Sequence, residues 1–267
     1  MAATEVKSQY VEMSHGRTHY FEAGSGPAVV LIHGAGFLSG GHNWLPVIPK
    51  LSDRLHVYAI DCLGFGSTDG LDQGYSFAYL VDHVREFQDV MGLDSSHIIG
   101  HSMGGWLGVL LAYESPNRVE RFVNVAGGGA TTRNLTSMVD WQPPAEETIR
   151  STIAKLGGTN IDIGRIADEL VAKSNDEHAT GRFRRLMEHM TNPETRLRYN
   201  TLRRLPHLSS PTLVVWGSND QTNGVELGQT TNDLIPGSKM TILDGAGHSV
   251  PQERPDEFSE TVLDFLA

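Results

Sequence analysis

The chain has 267 residues, of which 32 are Asp or Glu and 21 are Lys or Arg, so its formal net charge at pH 7 is −11. Nucleic-acid binding needs clustered cations that neutralise phosphates, and an acidic chain with only short basic runs argues against that role. The apolar runs are too short to cross a bilayer, and the first residues lack the order of a signal peptide. The single cysteine, Cys62, cannot form an intramolecular disulfide, which suits a reducing compartment. We therefore expect a soluble, acidic globular protein that is cytoplasmic.

Strand-like runs alternate with helical patterns along most of the chain. Residues 11–13 and 18–21 suggest antiparallel strands at a sheet edge, separated by a turn. Six later runs are rich in β-branched residues and lack polar alternation, as is typical of a parallel sheet covered on both faces. These runs are 28–32, 56–60, 97–100, 122–126, 211–216 and 239–243. With helical patterns between them, they predict a doubly wound, mostly parallel, eight-stranded α/β sheet.

One long segment interrupts this alternation. Between residues 131 and 205 only helical patterns appear, at 146–156, 163–173 and 180–190, and this length is too great for a plain connection. We therefore expect one core domain, formed by residues 1–130 and 206–267, with residues 131–205 inserted as a helical lid. Apolar candidates for the walls of a cavity between the lid and the sheet are Trp44, Trp141, Met187 and Met190.

The most informative motif directly follows the third buried run. Residues 100–104 read Gly-His-Ser-Met-Gly, a G-x-S-x-G pattern between a strand and a helix. Such a turn is so tight that the residues flanking the serine must have almost no side chain, which Gly100 and Gly104 satisfy. The turn exposes Ser102 above the sheet, and the helix that follows directs its free amides toward it. We expect Ser102 to be a nucleophile; the alternative is a turn without chemistry.

A serine nucleophile needs a base, and the base needs an acid that orients it. In a sheet of this type the chain order is serine, acid, histidine, each at the end of a strand. Asp220 follows the fifth buried run and His248 follows the sixth, as this order requires. Asp61 ends another strand and is a rival acid, although the Gly-rich residues after it favour a role in stabilising a turn. The predicted catalytic residues are Ser102, Asp220 and His248.

The developing oxyanion needs two backbone donors. The amide of Met103, which follows the nucleophile, is the first, and the loop 33–36 (His-Gly-Ala-Gly) supplies the second, for which we choose Ala35. We expect His33 to brace this loop and His101 to pack within the turn. The histidines include no H-x-H, H-E-x-x-H or Cys/His cluster, so neither a metal site nor another cofactor is predicted.

These residues resemble the α/β-hydrolase superfamily over essentially the whole chain. Within it, the chain is similar to the meta-cleavage-product hydrolases, which cleave C–C bonds in vinylogous diketones formed by aromatic ring fission. The motifs that carry this closer resemblance are His33-Gly-Ala-Gly36, Asn43-Trp44, Asp61-Cys-Leu-Gly-Phe-Gly66, Ser102-Met-Gly-Gly105 and Pro211-Thr-Leu-Val-Val-Trp-Gly217. The resemblance implies that the serine and the histidine do the central work and that the matching Asn43 positions the polar head of the substrate. We also expect Gly36, Phe37 and Trp141 to contact the substrate.

Two positions depart from the family pattern. The family usually has Trp after the catalytic histidine, where this chain has Ser249. The family's lid carries an arginine that grips the substrate carboxylate, whereas the best register here puts Leu170 near that place. Arg182 could take the place of that arginine if the alignment of the lid shifts, so it is our candidate for binding the substrate carboxylate. A bidentate carboxylate clamp is demanding in its geometry, and the departure therefore weakens the dienoate interpretation.

The first hypothesis is therefore a serine hydrolase that cleaves a C–C bond in a vinylogous diketone or dienoate. The alternative within the same class is a carboxylesterase or lactonase that acts on a small apolar ester. Cofactor-independent oxygenases and perhydrolases share the fold and the triad, and a non-catalytic ligand receptor is a hypothesis from another class, although the complete triad argues against it. A homodimer or higher homo-oligomer is a further expectation.

Overall fold

The computed structural model describes residues 5–130 and 141–266, and its centre is one eight-stranded sheet. The strands are β1 (Lys7–Met13), β2 (Gly16–Ala23), β3 (Ala28–Ile32), β4 (His56–Ile60), β5 (Ser96–His101), β6 (Val119–Val125), β7 (Thr212–Gly217) and β8 (Lys239–Leu243). Their order is β1-β2-β4-β3-β5-β6-β7-β8. The pairs β1–β2 and β2–β4 are antiparallel and all others are parallel, as the sequence predicted.

Helices cover both faces of this sheet and fill the segment between β6 and β7. They are α1 (Ile48–Leu51), α2 (Phe77–Val90), α3 (Met103–Glu114), α4 (Glu146–Ile153), α5 (Ile163–Ser174), α6 (Glu177–Thr191), α7 (Pro193–Arg198), α8 (Val225–Leu234), α9 (Val250–Glu253) and α10 (Pro255–Leu266). No helix within the described ranges is both long and apolar enough to cross a membrane.

The sheet and α3 form the centre of the hydrophobic core. Residues 29–32 of β3 are fully buried because helices cover both faces there, which explains the continuous apolar run. The helix α3 is buried over residues 103–112, so it is apolar on every side rather than amphipathic. In contrast, α2 has one apolar face, and the Ser76 hydroxyl caps its start by accepting a hydrogen bond from the Tyr79 amide at 3.2 Å.

The helices α4 to α7 lie within residues 131–205, the segment interpreted above as a lid, and the exact bounds of that lid stay a prediction. Partly buried hydrogen bonds join α5 to the core: the Lys173 ammonium donates to the carbonyls of Gly64 and Gly66 at 3.2 and 3.0 Å. Leu170, on the same helix, is 3% exposed and belongs to an apolar cluster. That burial explains why an apolar residue occupies this position.

Candidate active site

Ser102 lies on a strained turn between β5 and α3. Its backbone has φ 54° and ψ −110°, a conformation that side-chain-bearing residues rarely adopt. The two glycines of the motif are required by close backbone approach: a Cβ atom on Gly104 would lie 2.0 Å from the Ile32 carbonyl oxygen, and one on Gly100 would lie 2.2 Å from the Gly104 carbonyl oxygen. The turn is therefore locked between β3 and the first turn of α3, which fixes the direction of the serine hydroxyl.

The side chains of Ser102, His248 and Asp220 form one hydrogen-bonded chain. The His248 ring has its Nε2 atom 3.0 Å from the Ser102 hydroxyl and its Nδ1 atom 2.8 Å from a carboxylate oxygen of Asp220. Since a carboxylate accepts, Nδ1 carries the proton and Nε2 is free to accept the proton of the serine. The three residues follow β5, β8 and β7, so the carboxyl ends of parallel strands at one edge of the sheet bring them together.

Asp220 is held by backbone amides as well as by the histidine. Its second carboxylate oxygen accepts hydrogen bonds from the amides of Thr222 and Asn223, each at 2.8 Å. Burial alone would raise the pKa of the Asp220 carboxyl, but the hydrogen bonds from His248 and these amides outweigh it and lower that pKa. The acid is therefore ionised at neutral pH and can stabilise the charge that His248 gains during proton transfer.

A cavity of about 320 Å³ opens above Ser102. Its described lining residues are Ala35, Ser102, Met103, Trp106, Gly128, Gly129, Met190, Thr191, Arg196, Thr222, Asn223, Gly224, Leu227 and His248. Both residues predicted to supply oxyanion donors, Met103 and Ala35, thus lie on the same cavity as the serine. A carbonyl group that enters here meets the nucleophile, the base and two backbone segments suited to hold a negative oxygen.

Two neutral histidines brace the loops around this cavity. The His33 Nδ1 atom donates to the Gly34 carbonyl at 2.7 Å, and its Nε2 atom accepts from the Cys62 amide at 2.9 Å. The His101 Nε2 atom donates to the His248 carbonyl at 2.9 Å. Burial lowers the pKa of His33 to about 4 and that of His101 to about 3, so both rings stay neutral at physiological pH. Their roles are structural, as expected from the sequence.

Asp61, the rival acid, lies on a different network. It is 1% exposed, and its carboxylate accepts from the Ser67 amide at 2.7 Å, from the Gly41 amide at 2.5 Å and from the His19 ring at 2.9 Å. Burial would raise its pKa, but the hydrogen bond from the His19 ring and the electrostatic interaction with that ring lower the pKa well below its usual range. Asp61 therefore stabilises the turn after β4, as its sequence context favours.

Asp61 also belongs to a second Ser-His-Asp arrangement. The His19 Nε2 atom is 2.8 Å from the Ser8 hydroxyl, and its Nδ1 atom faces Asp61 at 2.9 Å. These distances match those of the Ser102 site, but Ser8 lies on the edge strand β1 and does not line the 320 Å³ cavity. Hydrogen-bond distances alone therefore do not define a catalytic site; the turn, the cavity and the backbone donors distinguish Ser102.

None of the predicted substrate contacts is among the described residues that line this cavity, so their contact with the substrate stays a prediction. Phe37 and Trp141 stack on each other with ring centroids 4.8 Å apart, and Phe183 packs against both. Gly36 caps a turn, since its carbonyl accepts from the Ser39 amide at 2.9 Å. Of the four apolar wall candidates named from the sequence, Met190 lines the cavity whereas Trp44, Trp141 and Met187 do not.

Asn43 and Arg182 also point elsewhere. The Asn43 side chain accepts from the Gly40 amide at 3.0 Å, and the residue lines a separate small cavity together with Ser249. The Arg182 guanidinium pairs with Asp72 at 2.7 Å on the protein surface, and its role in binding a substrate carboxylate stays a prediction. The physical reason is the orientation of α6, which directs the Arg182 side chain toward the surface. There the exposed carboxylate of Asp72 pairs with it.

The cavity contains residues that sequence reasoning missed. Trp106 is one helical turn after Ser102, so α-helical spacing could have placed it on the same face. Arg196 lies on α7, within the segment predicted to form a lid, and no local pattern in the sequence indicates that it lines the cavity. The described part of the chain holds no group of three or more His, Cys, Asp or Glu side chains placed to bind a metal ion.

Comparison with known proteins agrees with this geometry. Residues 29–261 match the model of a family described as the alpha/beta hydrolase family. A 2-hydroxy-6-oxo-6-(2'-aminophenyl)hexa-2,4-dienoic acid hydrolase of Metapseudomonas resinovorans is 31% identical over 271 residues, covering 97% of this chain and 90% of that protein. A point mutant of the meta-cleavage product hydrolase CumD is 26% identical with a TM-score of 0.80 and 97% of each chain covered. A membrane phospholipase A, described as a bacterial virulence factor, is 25% identical with a TM-score of 0.78, covering 98% of this chain and 86% of that one.

Proposed function

The chain belongs to the alpha/beta hydrolase family, and on that premise we propose that it is a serine hydrolase whose nucleophile is Ser102. The observation that carries the proposal is the continuous hydrogen-bonded chain from the Ser102 hydroxyl through His248 to Asp220 at the wall of a cavity. A serine that combines such a base and acid with a strained turn is equipped for acyl transfer.

The reaction begins with attack of the Ser102 hydroxyl on a substrate carbonyl carbon, while His248 takes the hydroxyl proton. The carbonyl oxygen becomes negative and accepts hydrogen bonds from the backbone amides of Met103 and Ala35. When the tetrahedral intermediate collapses, the leaving group departs with the bonding electron pair and receives the proton from His248. Water, activated by the same histidine, then hydrolyses the acyl-serine. Each amide donor contributes about 3 kcal/mol to the stabilisation of the oxyanion.

The substrate class we propose is a vinylogous diketone that carries a dienoate, in which a C–C bond is hydrolysed. Similarity to a dienoic acid hydrolase and to a meta-cleavage product hydrolase, over nearly the whole chain in both cases, supports this class. Departure of a carbon leaving group is feasible in such a molecule because conjugation spreads the electron pair over the dienoate before protonation. The cytoplasmic location and the homo-oligomeric state stay predictions.

Hydrolysis of a carboxylic ester or lactone is the second candidate. Similarity to a membrane phospholipase A favours it, as does the absence from the described cavity lining of Asn43 and Arg182, the two polar contacts expected for a dienoate. The same catalytic residues serve both reactions, so the difference lies in the leaving group and in how the cavity binds it.

Absorbance separates the two candidates. The purified protein is given 2-hydroxy-6-oxo-6-phenylhexa-2,4-dienoate, whose long-wavelength band disappears on C–C cleavage, and in parallel p-nitrophenyl butyrate, which releases p-nitrophenolate. We expect turnover of the dienoate; turnover of the ester alone would leave only the second candidate. The Ser102→Ala variant should lose both activities by about 10⁴-fold or more.

A labelling experiment tests the choice of nucleophile. An alkyl fluorophosphonate should modify Ser102 and leave Ser8 untouched, although Ser8 has the same type of hydrogen bond to a histidine. Peptide mass spectrometry locates the adduct, and Ser8→Ala serves as the matched control with normal labelling. Modification of Ser8, or normal turnover by Ser102→Ala, would contradict the proposed mechanism.

A further inference from the structure

The turn that follows β6 is bonded to the backbone of Ser102. The Ser102 amide donates to the Val125 carbonyl at 2.9 Å, and the Ser102 carbonyl accepts from the Gly128 amide, also at 2.9 Å. Between these two contacts lies Ala126, whose φ of 47° is in the left-handed region that residues with a side chain seldom adopt. Both backbone groups of the nucleophile therefore depend on the position of a strained turn.

Asn223 holds the same turn from the opposite side. Its side-chain amide donates to the Ala126 carbonyl at 2.9 Å, and the Ala126 amide donates to the Val215 carbonyl of β7 at 2.9 Å. Ala126 is fully buried and Asn223 is 9% exposed, so little solvent is available to replace the side-chain donor. Loss of that donor would leave a buried carbonyl unpaired in a strained segment, and this favours a shift of the turn.

The backbone of Asn223 holds the catalytic acid. Its amide donates to Oδ1 of Asp220 at 2.8 Å, whereas Oδ2 of the same carboxylate faces the His248 ring. The Asn223 carbonyl accepts from the indole of Trp216 at 2.7 Å, and Trp216 is fully buried in β7. The loop of the acid is thus closed onto the sheet at Asn223, which limits the rotation of the carboxylate.

We propose that Asn223 is a positioning residue, whose side chain couples the loop of Asp220 to the turn that holds Ser102. Through this coupling, Asn223 sets the geometry of the hydrogen bond between His248 and Asp220. The effect on reaction rate rests on the proposed function, whereas the coupling itself does not depend on turnover. A residue that only stabilised the fold would change the melting temperature and leave this hydrogen bond as it is.

Proton NMR tests the coupling without any substrate. The proton between His248 Nδ1 and Asp220 should give a low-field signal, which is assigned by its loss in His248→Gln. Asn223→Leu keeps the branching of the side chain but lacks the donor, so it should shift or broaden that signal. The proton between His19 and Asp61 belongs to the separate network described above and is the internal reference, which should not move.

Reaction rates measure the consequence for the nucleophile. Asn223→Leu should lower kcat about tenfold, with KM within about threefold of the wild-type value, because small displacements of reacting groups have large effects on rate. Labelling of Ser102 by the alkyl fluorophosphonate should slow by a similar factor. Asn219→Leu, at an exposed position of the same loop, is the matched control and should keep the wild-type signal and rates.

The outcomes separate positioning from folding and from the proposed function. An unchanged low-field signal in folded Asn223→Leu, or rates equal to those of the control, overturns the proposal. Asn223→Ala removes the donor without adding bulk and decides if Asn223→Leu does not fold. If neither variant folds, hydrogen exchange in the wild-type protein decides, because the side-chain amide of Asn223 should exchange more slowly than that of Asn219, and equal exchange overturns the proposal.

The coupling and the proposed function can also fail separately. A shifted signal in Asn223→Leu, together with a wild-type protein that hydrolyses neither dienoate nor ester and is not labelled at Ser102, would contradict the proposed function and leave the coupling standing.

Discussion

The ring of His101 donates a hydrogen bond to the backbone carbonyl of His248, and this contact joins the turn of the nucleophile to the loop of the base. The two imidazole rings lie 4.9 Å apart, and His101 is neutral because burial lowers its pKa to about 3. The residue beside Ser102 therefore sets the backbone position of the histidine that activates Ser102. The contact thus links the turn that carries the nucleophile to the loop that carries the base through a ring that is not among the described residues lining the cavity.

Replacing His101 should reduce the rate more than it reduces substrate binding. His101→Phe keeps the ring shape but removes the donor to His248, so the base loop loses its anchor. We expect kcat to fall about tenfold with KM nearly unchanged, since small displacements of reacting groups have large effects on rate. Steady-state kinetics well below the melting temperature measures both constants. His207→Phe, at an exposed position, is the control; equal kcat values for the two variants would show that the contact does not position the base.

Loss of the charge on Asp220 should reduce activity, whereas loss of the charge on Asp61 should reduce stability. Asp220→Asn removes the acceptor that fixes the His248 tautomer, so kcat should fall by about 10³- to 10⁴-fold with little change in the free energy of unfolding. Asp61→Asn should retain most of the activity but reduce the free energy of unfolding by about 3 kcal/mol, because His19 and two backbone amides lose a buried anion. Urea titration and turnover measured on the same preparations give both values. Loss of activity in a stable Asp61→Asn variant would identify Asp61 as the functional acid.

The elbow glycines should tolerate no side chain. Gly104→Ala places a Cβ atom 2.0 Å from the Ile32 carbonyl oxygen, a contact between backbone segments that cannot move apart without separating β3 from α3. We expect a free energy of unfolding lower by at least about 3 kcal/mol, or an insoluble product. The control is Gly74→Ala, whose Cβ atom has nothing within 4 Å and whose unfolding should change little. Similar stability of the two variants, measured by thermal melting, would contradict the described turn.

Sequence patterns predicted the sheet and the hydrogen-bonded chain of Ser102, His248 and Asp220 because both depend on features that are local in the chain. The buried runs reveal parallel strands, and Ser102, Asp220 and His248 each directly follow such a run, so the topology brings them together. The edge strand β1 is longer than predicted, Lys7–Met13 instead of residues 11–13, because its backbone pairs with β2 while its side chains remain largely polar. A hydrophobic pattern cannot reveal such a strand.

The walls of the cavity were harder to predict because they depend on how the helices between β6 and β7 are oriented against the sheet. Arg182 and Arg196 both lie on these helices, yet one pairs with Asp72 at the surface and the other lines the cavity. Their sequence contexts give no sign of this difference, which arises from packing between elements far apart in the chain. Asn43 is absent from the described cavity lining for a different, local reason: its side chain accepts from the Gly40 amide, and this contact directs it into the 3₁₀ turn Gly41–Trp44.

The stability of the protein should fall as the pH decreases from 6.5 to about 4.5. Burial lowers the pKa of His83 to about 3 and that of His33 to about 4, so the folded protein keeps both rings neutral over this range. The unfolded chain protonates them near pH 6.5 and therefore binds more protons than the folded chain, which makes stability rise with pH. Each such histidine contributes roughly 1.4 kcal/mol per pH unit to this slope.

His83 hydrogen-bonds Thr18 at 2.9 Å and is not among the described residues that line the cavity, so it allows a test outside the catalytic site. For His83→Gln, the free energy of unfolding measured in urea should depend on pH with a slope smaller by about one proton than that of the wild-type protein. The exposed His207→Gln is the control and should match the wild-type slope. Parallel pH curves for all three proteins would mean that His83 is protonated in the folded state.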